Sequence, residues 1–332
     1  EPLPRYKEVK PVSQLTTDDM PGFTAAEIRR FSDFAQCGLV GNFNLFAHQL
    51  AMLRIALSEG RAVVTAGTGS GKTESFLMPM LATIVRESMR WASPRPKSEG
   101  ADDWWLESRT DWQNIRFGDR QSARIPQRAH VARPAGMRGL ILYPMNALVE
   151  DQMTRLRKAM DSARARSWFD ANSAGNQIYF GRYNSSTPKS GREFQANGRP
   201  DRKKIRDLAT ELRQTARDAD AARRHAEANP DDGDVIYFFP RMDGAEMRSR
   251  WDMHDAPPDL MITNYSMLSL MLMRDVDRPI FEQTAAWLRD DPNAVFHLVV
   301  DELHLYRGTP GTEVALLLRL LLKRLGLTPS SP

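Results

Sequence analysis

Short apolar runs separated by longer mixed segments form the main pattern of this chain. Five runs have the length and composition of buried strands, at residues 62–65, 139–143, 178–180, 260–263 and 296–300. Residues 235–239 form a further candidate strand. Because helical segments lie between these runs, the pattern predicts an α/β fold, a doubly wound parallel sheet with helices on both faces.

The segments between the strands have the features of helices. Thr24 and Glu27 are spaced as a capping box, which predicts a helix that ends near residue 35. Other helices are predicted after residue 49, over 75–89, after the strands that end at 143 and 263, and over 312–325. The last of these is apolar on nearly every side, so we expect it to be buried.

Two segments interrupt the alternation of strands and helices. Residues 92–135 contain prolines and three tryptophans without a sustained period, so we interpret them as an insertion that the tryptophans pin to the domain. Stacking of these rings on nucleic-acid bases is the alternative. Residues 189–234 are a second, charged insertion, with one amphipathic helix through Ile205, Leu208 and Leu212. We interpret its charges as a solvated helix face, with a nucleic-acid contact as the alternative.

The composition narrows the class of protein. Lys and Arg number 46 against 42 Asp and Glu in 332 residues, a net charge of +4 that permits an anionic partner without demonstrating one. The single cysteine, Cys37, excludes an intrachain disulfide and fits a reducing compartment such as the cytoplasm. The longest apolar run, 314–322, is broken by Arg319 and is shorter than the roughly 20 residues of a membrane span, so we expect no membrane partner.

A glycine-rich loop, Ala-Gly-Thr-Gly-Ser-Gly-Lys-Thr at 66–73, follows the first predicted strand. Its glycines let the backbone curl so that several N–H groups point at one anion, and the N-terminus of the next helix adds partial positive charge. Lys72 can reach the β- and γ-phosphates of a nucleotide, and the Thr73 hydroxyl can hold a magnesium ion. We therefore predict a site for ATP and Mg²⁺ that is lined by Thr68, Gly69, Ser70, Gly71, Lys72, Thr73 and Glu74. A Gly/Ser turn beside a surface lysine is the alternative.

Gln49 and an aromatic residue near it are candidates for adenine recognition. The Gln49 amide can both donate to a base and accept from it, and it lies upstream of the glycine-rich loop. Phe46 or Phe43 can stack on the same base, but each is equally well suited to the core. A solvated helix position is the alternative for Gln49.

Polar residues follow the predicted strands at the points where the strands end. Beyond the glycine-rich loop these are Asn146, Arg182, Asn264 and the pair Asp301 and Glu302. The carboxyl ends of parallel strands share one edge of the sheet, where α/β proteins bind their ligands. We therefore expect these residues to lie together.

The acidic pair that ends the last predicted strand suits two different roles. Asp301 can bind Mg²⁺, usually through its water, beside Thr73, and Glu302 can orient and deprotonate the attacking water. We expect Lys72 to converge with these three residues around one triphosphate. His304 can connect this site to a facing domain. A polar strand end is the alternative for the pair, and a structural role is the alternative for His304.

Taken in order, these motifs resemble the first RecA-like domain of a superfamily 2 helicase of the DExH type. The similar blocks are Gln49, 66–73, 143–152, 181–187, 263–268 and 301–304, of which 66–73 and 301–304 are specific together. The domains expected from this resemblance are an N-terminal surface segment and helix at 1–42, a RecA-like ATPase domain at 43–326 that contains both insertions, and a tail at 327–332. The amino-acid sequences of these motifs resemble those of the MrfA-like and Hrq-like repair helicases and of large anti-phage helicases of the Druantia and DISARM kind.

The resemblance also implies contacts beyond the nucleotide. The phosphates of one nucleic-acid strand, in the first instance single-stranded DNA, would be held by Pro144, Asn146, Gln152, Arg182, Thr263 and Asn264. Helicases of this kind complete the ATP site with arginines from a second RecA-like domain, which these 332 residues do not contain. We expect these residues alone to hydrolyse ATP slowly, since a missing arginine costs about 10³–10⁵ in rate.

Three functions are compatible with these motifs. A nucleic-acid-dependent ATPase motor, in anti-phage defence or DNA repair, accounts for all of them. A P-loop enzyme of another class, such as a small-molecule kinase, leaves Asn146 and Asn264 unexplained. A nucleotide-controlled DNA-binding scaffold without unwinding activity is the other alternative.

Overall fold

The computed structural model describes residues 6–67, 69–109, 121–145, 147–306 and 308–328. The helices are α1 Ala25–Ala35, α2 Ala47–Glu59, α3 Lys72–Ser88, α4 Ala147–Leu156, α5 Ala163–Asn172, α6 Arg202–Ala228, α7 Arg250–Asp255, α8 Tyr265–Met273, α9 Arg278–Asp290 and α10 Thr309–Arg324. The strands are β1 Glu8–Pro11, β2 Asn44–Phe46, β3 Gly139–Tyr143, β4 Phe180–Tyr183, β5 Leu260–Asn264 and β6 His297–Val300.

The chain divides into two compact units, which are described separately. Of the residues that the structure describes, those within 6–93 and 158–177 form unit 1, and those within 94–157 and 178–328 form unit 2. Among the helices that the structure describes, none combines the length and the apolar character needed to cross a membrane.

Unit 1 is built from helices around α3. Both α1 and α2 pack on α3, and the capping box of Thr24 and Glu27 begins α1 as predicted. Phe34 of α1 is fully buried, and its ring lies 5.2 Å from that of Trp168 and 5.5 Å from that of Phe169, both in α5. These ring contacts make α1 part of the core of the unit.

The N-terminal segment lies deeper than the surface position predicted for it. β1 pairs antiparallel with β2, and Val12 and Met20 are fully buried. The Ser32 hydroxyl of α1 donates to Val12 O at 2.9 Å, which ties the segment to the unit. The prolines and aspartates of this segment therefore mark turns between buried residues.

Residues 62–65 are extended, but the prediction that they form a strand is wrong. Their side chains alternate between half-buried and exposed positions, and Val63 is 81% exposed. A strand requires a neighbour that satisfies its backbone N–H and C=O groups, and the strands of the described residues pair with one another instead. The β-branched composition thus predicts the extended conformation but not the pairing.

Unit 2 contains a parallel sheet with the strand order β4–β5–β3–β6. β3 is buried along its whole length and has the predicted bounds. β5 and β6 pair with β3 on either side, with Ile141 opposite both Ile262 and Val299. This parallel sheet with connecting helices confirms the predicted α/β fold.

Two strand predictions in unit 2 require correction. β4 begins later than predicted, so Arg182 lies within the strand and not beyond its end. The strand predicted at 235–239 is absent, since Pro230–Phe238 are 3₁₀-helical and pack against α6. A short apolar run does not by itself distinguish a strand from a helical turn that packs on a neighbour.

α10 is amphipathic and not buried on every side as predicted. Val314, Leu317 and Leu321 are buried and recur at helical spacing, whereas Leu316 and Leu320 are 59% and 45% exposed. The helix α10 therefore has more apolar side chains than unit 2 buries.

The two insertions pack on one another within unit 2. Trp104 and Trp105 of the first insertion are buried against Leu208 of α6, and Trp251 joins the same cluster. This packing confirms that these tryptophans pin an irregular loop. Trp112 lies outside the described residues.

Asp259 connects the amino ends of the four parallel strands. Its carbonyl accepts from Arg138 N at 2.7 Å and from Gly139 N at 2.9 Å, at the start of β3. Asp259 N donates to Tyr179 O, and the Asp259 carboxylate accepts from Tyr179 N, both at 2.8 Å, just before β4. Arg138 O in turn accepts from His297 N at 2.8 Å, at the start of β6. The starting points of all four strands are therefore linked through one residue.

Three buried guanidinium groups surround the Asp259 carboxylate. Arg133 Nη1 donates to it at 2.7 Å, Arg138 Nη1 lies 3.3 Å away and Arg128 Nη2 lies 4.0 Å away. Burial by itself would raise the pKa of Asp259, but Arg133 and Arg128 outweigh burial and hold this pKa far below its usual value. The carboxylate is therefore charged at neutral pH.

We predict that Asp259→Ala destabilises the protein by about 3–5 kcal/mol at pH 7, because three buried guanidiniums lose their counter-ion. Urea unfolding followed by circular dichroism measures this loss. Asp290→Ala is the control, because Asp290 is exposed and its removal costs within about 0.5 kcal/mol. Equal midpoints for the two variants would contradict the structural role of Asp259.

We also predict that the stability difference between the wild type and Asp259→Ala depends on pH. Since the folded-state pKa of Asp259 is lowered, its stabilisation is complete above its unfolded pKa, about 4, and is lost as the pH falls below that value. The difference in unfolding free energy between the wild type and Asp259→Ala should therefore shrink in acid. A difference that stays constant from pH 7 to pH 3 would argue against the charge of Asp259 as the cause.

Candidate functional site

The glycine-rich loop lies in unit 1 and leads into α3. Gly69 and Gly71 have φ values of 74° and 73°, a left-handed conformation that residues with a Cβ rarely adopt. Gly71 is the N-cap of α3, and Lys72 and Thr73 are the first residues of the helix. The loop therefore curls directly into a helix N-terminus, an arrangement that binds anions.

Gln49 of α2 is hydrogen bonded to this loop. Its side chain is 5% exposed, its amide oxygen accepts from Phe46 N at 2.9 Å, and its amide nitrogen donates to Gly71 O at 3.0 Å. A Cβ on residue 71 would lie 2.3 Å from that nitrogen, so this arrangement requires glycine. Gln49 thus fixes the position of the loop, and its contact with adenine stays a prediction.

Ser70 provides a polar group that suits a phosphate ligand. It is 1% exposed, and its hydroxyl has no hydrogen-bond partner within the part of the chain that the structure describes. A buried hydroxyl without a partner costs about 1–3 kcal/mol unless a ligand or water satisfies it. A Cβ added to Gly69 itself would have no described atom within 4 Å, so there is room for a ligand next to this residue. The loop therefore fits the phosphates of a nucleotide.

The first turn of α3 contains the other predicted phosphate and metal ligands. Lys72, Thr73 and Glu74 are half-buried there. An ammonium group and a hydroxyl at this place have the chemistry that phosphate oxygens and a hydrated Mg²⁺ require. Thr68, also predicted to line the site, lies outside the described residues.

An aromatic cluster lies next to the loop. Phe46 is stacked on His48, with ring centroids 5.7 Å apart, and the ring of Tyr6 lies 5.9 Å from that of Phe46. The Tyr6 hydroxyl accepts from Gly67 N at 2.8 Å, a contact that the sequence analysis missed because the two residues are far apart along the chain. Phe43, the other candidate for stacking on adenine, is 82% exposed.

In unit 2 the strand register brings polar residues to the carboxyl edge of the sheet. Asn264 at the end of β5 is opposite Tyr143 at the end of β3. Asp301 follows β6, and its N–H donates to Leu142 O at 3.0 Å, so Asp301 continues the ladder beside Tyr143. Asn264, Tyr143 and Asp301 therefore form a row across three neighbouring strands.

Asp301 and Glu302 have different surroundings. Glu302 has a left-handed backbone with φ 50°, which is uncommon for a residue other than glycine. Asp301 Oδ1 accepts from Glu302 N at 2.8 Å, whereas the Glu302 carboxylate lies 3.2 Å from His304 Nδ1. The side chain of His304 is 60% exposed. Two adjacent carboxylates with separate partners can serve separate chemical roles.

Two phenol groups near Asp301 were missed by the sequence analysis. Tyr143 is 1% exposed and Tyr306 is half-buried, and neither hydroxyl has a hydrogen-bond partner among the described residues. Burial raises the pKa of both phenols, and the negative charge of Asp301 raises each further. Both hydroxyls therefore stay protonated and can donate to a ligand at this edge. The available signal was the position of Tyr143 as the last residue of a buried strand.

Three of the predicted nucleic-acid residues have partners inside unit 2. Arg182 forms an ion pair with Glu150 of α4. Asn264 is the N-cap of α8 and accepts from a backbone N–H of its first turn at 2.8 Å. Thr263 is fully buried, and its hydroxyl donates to Tyr183 O at 2.6 Å. The Thr263 hydroxyl thus satisfies a carbonyl of the neighbouring strand β4.

The other predicted nucleic-acid residues lie around the start of α4. Gln152 is 8% exposed and Pro144 is half-buried. Asn146 lies outside the described residues. The phosphate contacts of all six residues stay predictions.

The predicted catalytic residues belong to both units. Lys72 and Thr73 lie in unit 1, and Asp301 and Glu302 lie in unit 2. Their convergence around one triphosphate stays a prediction.

Comparison with known protein families identifies the region around the glycine-rich loop. Residues 46–180 match the model of the family described as DEAD/DEAH box helicase. The match covers 135 of the 332 residues. The match includes the glycine-rich loop, β3 and α4. Helicases of that family hydrolyse ATP, typically with Mg²⁺. Residues 301–304 lie beyond the matched range.

A curated relative matches nearly the whole chain. The chain is 31% identical over 359 aligned positions to the Druantia protein DruE of Escherichia coli strain UMEA 4076-1. The alignment covers 98% of this chain but only 17% of the length of that relative. No solved structure matches the chain.

We predict that Gly71→Ala weakens nucleotide binding roughly tenfold or more, because the new Cβ displaces the Gln49 amide and shifts the loop. Gly60→Ala is the matched control, since Gly60 has φ 68° and an added Cβ there meets no described atom within 4 Å. Both substitutions carry the left-handed backbone penalty of about 1–2 kcal/mol. Titration with a fluorescent ATP analogue measures binding, and thermal unfolding measures stability. Equal ATP affinity for the two variants would contradict the conclusion that the hydrogen bond from Gln49 to Gly71 positions the loop.

Proposed function

We propose that this chain is the ATP-binding half of a nucleic-acid-dependent ATPase motor, a DNA helicase or translocase. The observation that carries this proposal is the loop of unit 1. Its two left-handed glycines lead into α3, the Gln49 amide fixes Gly71, and the buried Ser70 hydroxyl has no partner among the described residues. The match of residues 46–180 to the DEAD/DEAH box helicase family supports the same function.

The proposed roles divide between phosphate binding and water activation. Lys72 neutralises the β- and γ-phosphates, while the loop N–H groups and Ser70 donate to their oxygens. Thr73 and Asp301 hold Mg²⁺, which neutralises charge on the transferred phosphoryl group when bound. Glu302 orients the attacking water and takes its proton, and His304 next to it couples the site to a facing domain.

Nucleic acid is the proposed partner that stimulates hydrolysis. Asn264 ends β5, and Arg182 lies within the neighbouring strand β4, next to its last residue. Contacts of such residues to phosphates carry no sequence information. Single-stranded DNA is the proposed substrate. The roles of Pro144, Asn146, Gln152 and Thr263 in the same path are proposals from the family resemblance.

We place this motor in defence against bacteriophages. The supporting observation is the 31% identity to the Druantia protein DruE, which extends over nearly the whole chain. Since the chain spans 17% of that relative, the substrates and partners of the whole protein remain part of the proposal.

We predict that Lys72→Ala and Glu302→Gln, each made in the full-length protein, lower nucleic-acid-stimulated ATP hydrolysis by at least about 10²-fold. Lys72→Ala should also lose ATP affinity, because it removes a phosphate contact. Glu302→Gln should retain ATP binding, because it removes only the proton acceptor. Steady-state phosphate release and equilibrium binding of a fluorescent ATP analogue separate the two effects.

The controls for this experiment make the same chemical changes at exposed positions. Lys7→Ala and Glu282→Gln remove an exposed lysine and an exposed carboxylate, and we expect neither to alter turnover. Normal hydrolysis by Glu302→Gln would exclude Glu302 as the base. A loss of ATP affinity in that variant would instead assign it a binding role. The slow turnover predicted for residues 1–332 alone is measured in the same assay.

A further inference from the structure

The long helix α6 of the second insertion has three chemically distinct faces. Ile205, Leu208 and Leu212 are buried against the tryptophan cluster, which fixes the orientation of the helix. Five arginines form a second face, which we call the arginine stripe: Arg202, Arg206, Arg213, Arg217 and Arg224. Their intervals of four and seven residues place them within about 60° of one another around the helix axis.

Most of the carboxylates of α6 lie away from the arginine stripe. Asp207, Glu211 and Asp218 fall about 100–180° around the axis from the stripe. Glu211 pairs with Lys189 there at 2.6 Å. Asp220 and Glu227 fall on the stripe side. Asp220 pairs at 3.1 Å with Arg223, which lies about 60° beyond the edge of the stripe. The helix is therefore charged asymmetrically and is not a uniform solvated surface.

Helix stability does not explain this separation of charge. Arg202 and Arg206, and likewise Arg213 and Arg217, are like-charge pairs at i,i+4, which destabilise a helix by a few tenths of a kcal/mol each. The first turn of α6 contains no acidic residue, and the carboxylate at this helix N-terminus is that of the N-cap Asp201, which accepts from Lys204 N at 3.2 Å. A ligand that neutralises the stripe gives these positions a function.

The dimensions of the arginine stripe indicate the kind of ligand. From Arg202 to Arg224 the stripe extends about 33 Å, with charges separated by about 6 Å and about 10 Å. Arg202, Arg206, Arg217 and Arg224 are exposed, whereas Arg213 is half-buried and donates to Glu107 at 3.2 Å. A straight row of cations of this length matches an anion with regularly repeated charge, such as a nucleic-acid backbone.

We propose that the arginine stripe of α6 is a second contact surface for the phosphate backbone of nucleic acid, separate from the carboxyl edge of the sheet. This proposal rests on the proposed function, because it names an additional part of the nucleic-acid path. Contacts of this kind increase affinity and its dependence on salt without reading the base sequence. The insertion would thereby hold the strand independently of the ATP-dependent contacts.

The test compares two double variants of the full chain with the same change in charge on the same helix. Arg206→Gln with Arg217→Gln removes two cations of the stripe. Lys204→Gln with Arg223→Gln removes two cations that lie off the stripe and are paired with Asp201 and Asp220. Fluorescence anisotropy with a labelled oligothymidylate and with a duplex, each over a series of salt concentrations, measures affinity and its salt slope.

We expect the stripe variant to bind the single strand with a salt slope lower by about 1.4, since each lost phosphate contact removes about 0.7. The control variant should keep the slope of the wild type, and the duplex arm shows which form of nucleic acid the stripe prefers. Equal slopes for the two variants would overturn the proposal and assign the stripe to another partner, such as an acidic protein segment.

ATP binding separates this proposal from the proposed function. If the wild type binds nucleic acid and ATP while the stripe variant behaves like the control, only the arginine stripe proposal fails. If the wild type binds neither ATP nor nucleic acid, the proposed function fails and the stripe proposal fails with it.

Discussion

The buried ion cluster at Asp259 is the constraint on which the sheet of unit 2 depends. Burying a carboxylate or three guanidiniums alone is costly, so each side of the cluster requires the other. The same residue links the starting points of β3, β4 and β5 and, through Arg138, that of β6. Because parallel strands keep one register, fixing their amino ends also fixes the row of Asn264, Tyr143 and Asp301 at their carboxyl ends. Ionic contacts at one edge of the sheet thus position the polar residues at the other.

The loop of unit 1 depends on a neutral interaction instead. One amide, that of Gln49, accepts from the start of α2 and donates to Gly71 O. Gly71 O also accepts from Ser75 N at 3.2 Å, so it joins the first turn of α3 to α2. Glycine is needed at residue 71 for its positive φ and for the space that the amide occupies. A change in either residue therefore alters the loop conformation.

The sequence predicted those parts of the structure that depend on local chemistry or on burial from all sides. The capping box of α1 depends on two residues three apart, and β3 is apolar throughout because both of its faces are covered. The predictions at 62–65 and 235–239 were wrong, because strand pairing depends on neighbours that are distant along the chain. The contact of Tyr6 with Gly67 was unpredictable for the same reason.

The backbone at Glu302 shows how the end of β6 separates two adjacent carboxylates. A left-handed backbone at a residue other than glycine costs about 1–2 kcal/mol, and the hydrogen bond from Glu302 N to Asp301 Oδ1 offsets part of that cost. The turn ends the extended strand at once, so that Asp301 remains on the ladder beside Tyr143 while Glu302 lies next to His304. The roles proposed for Asp301 and Glu302, a metal ligand and a proton acceptor, need different surroundings. The strained turn provides this difference between two consecutive residues.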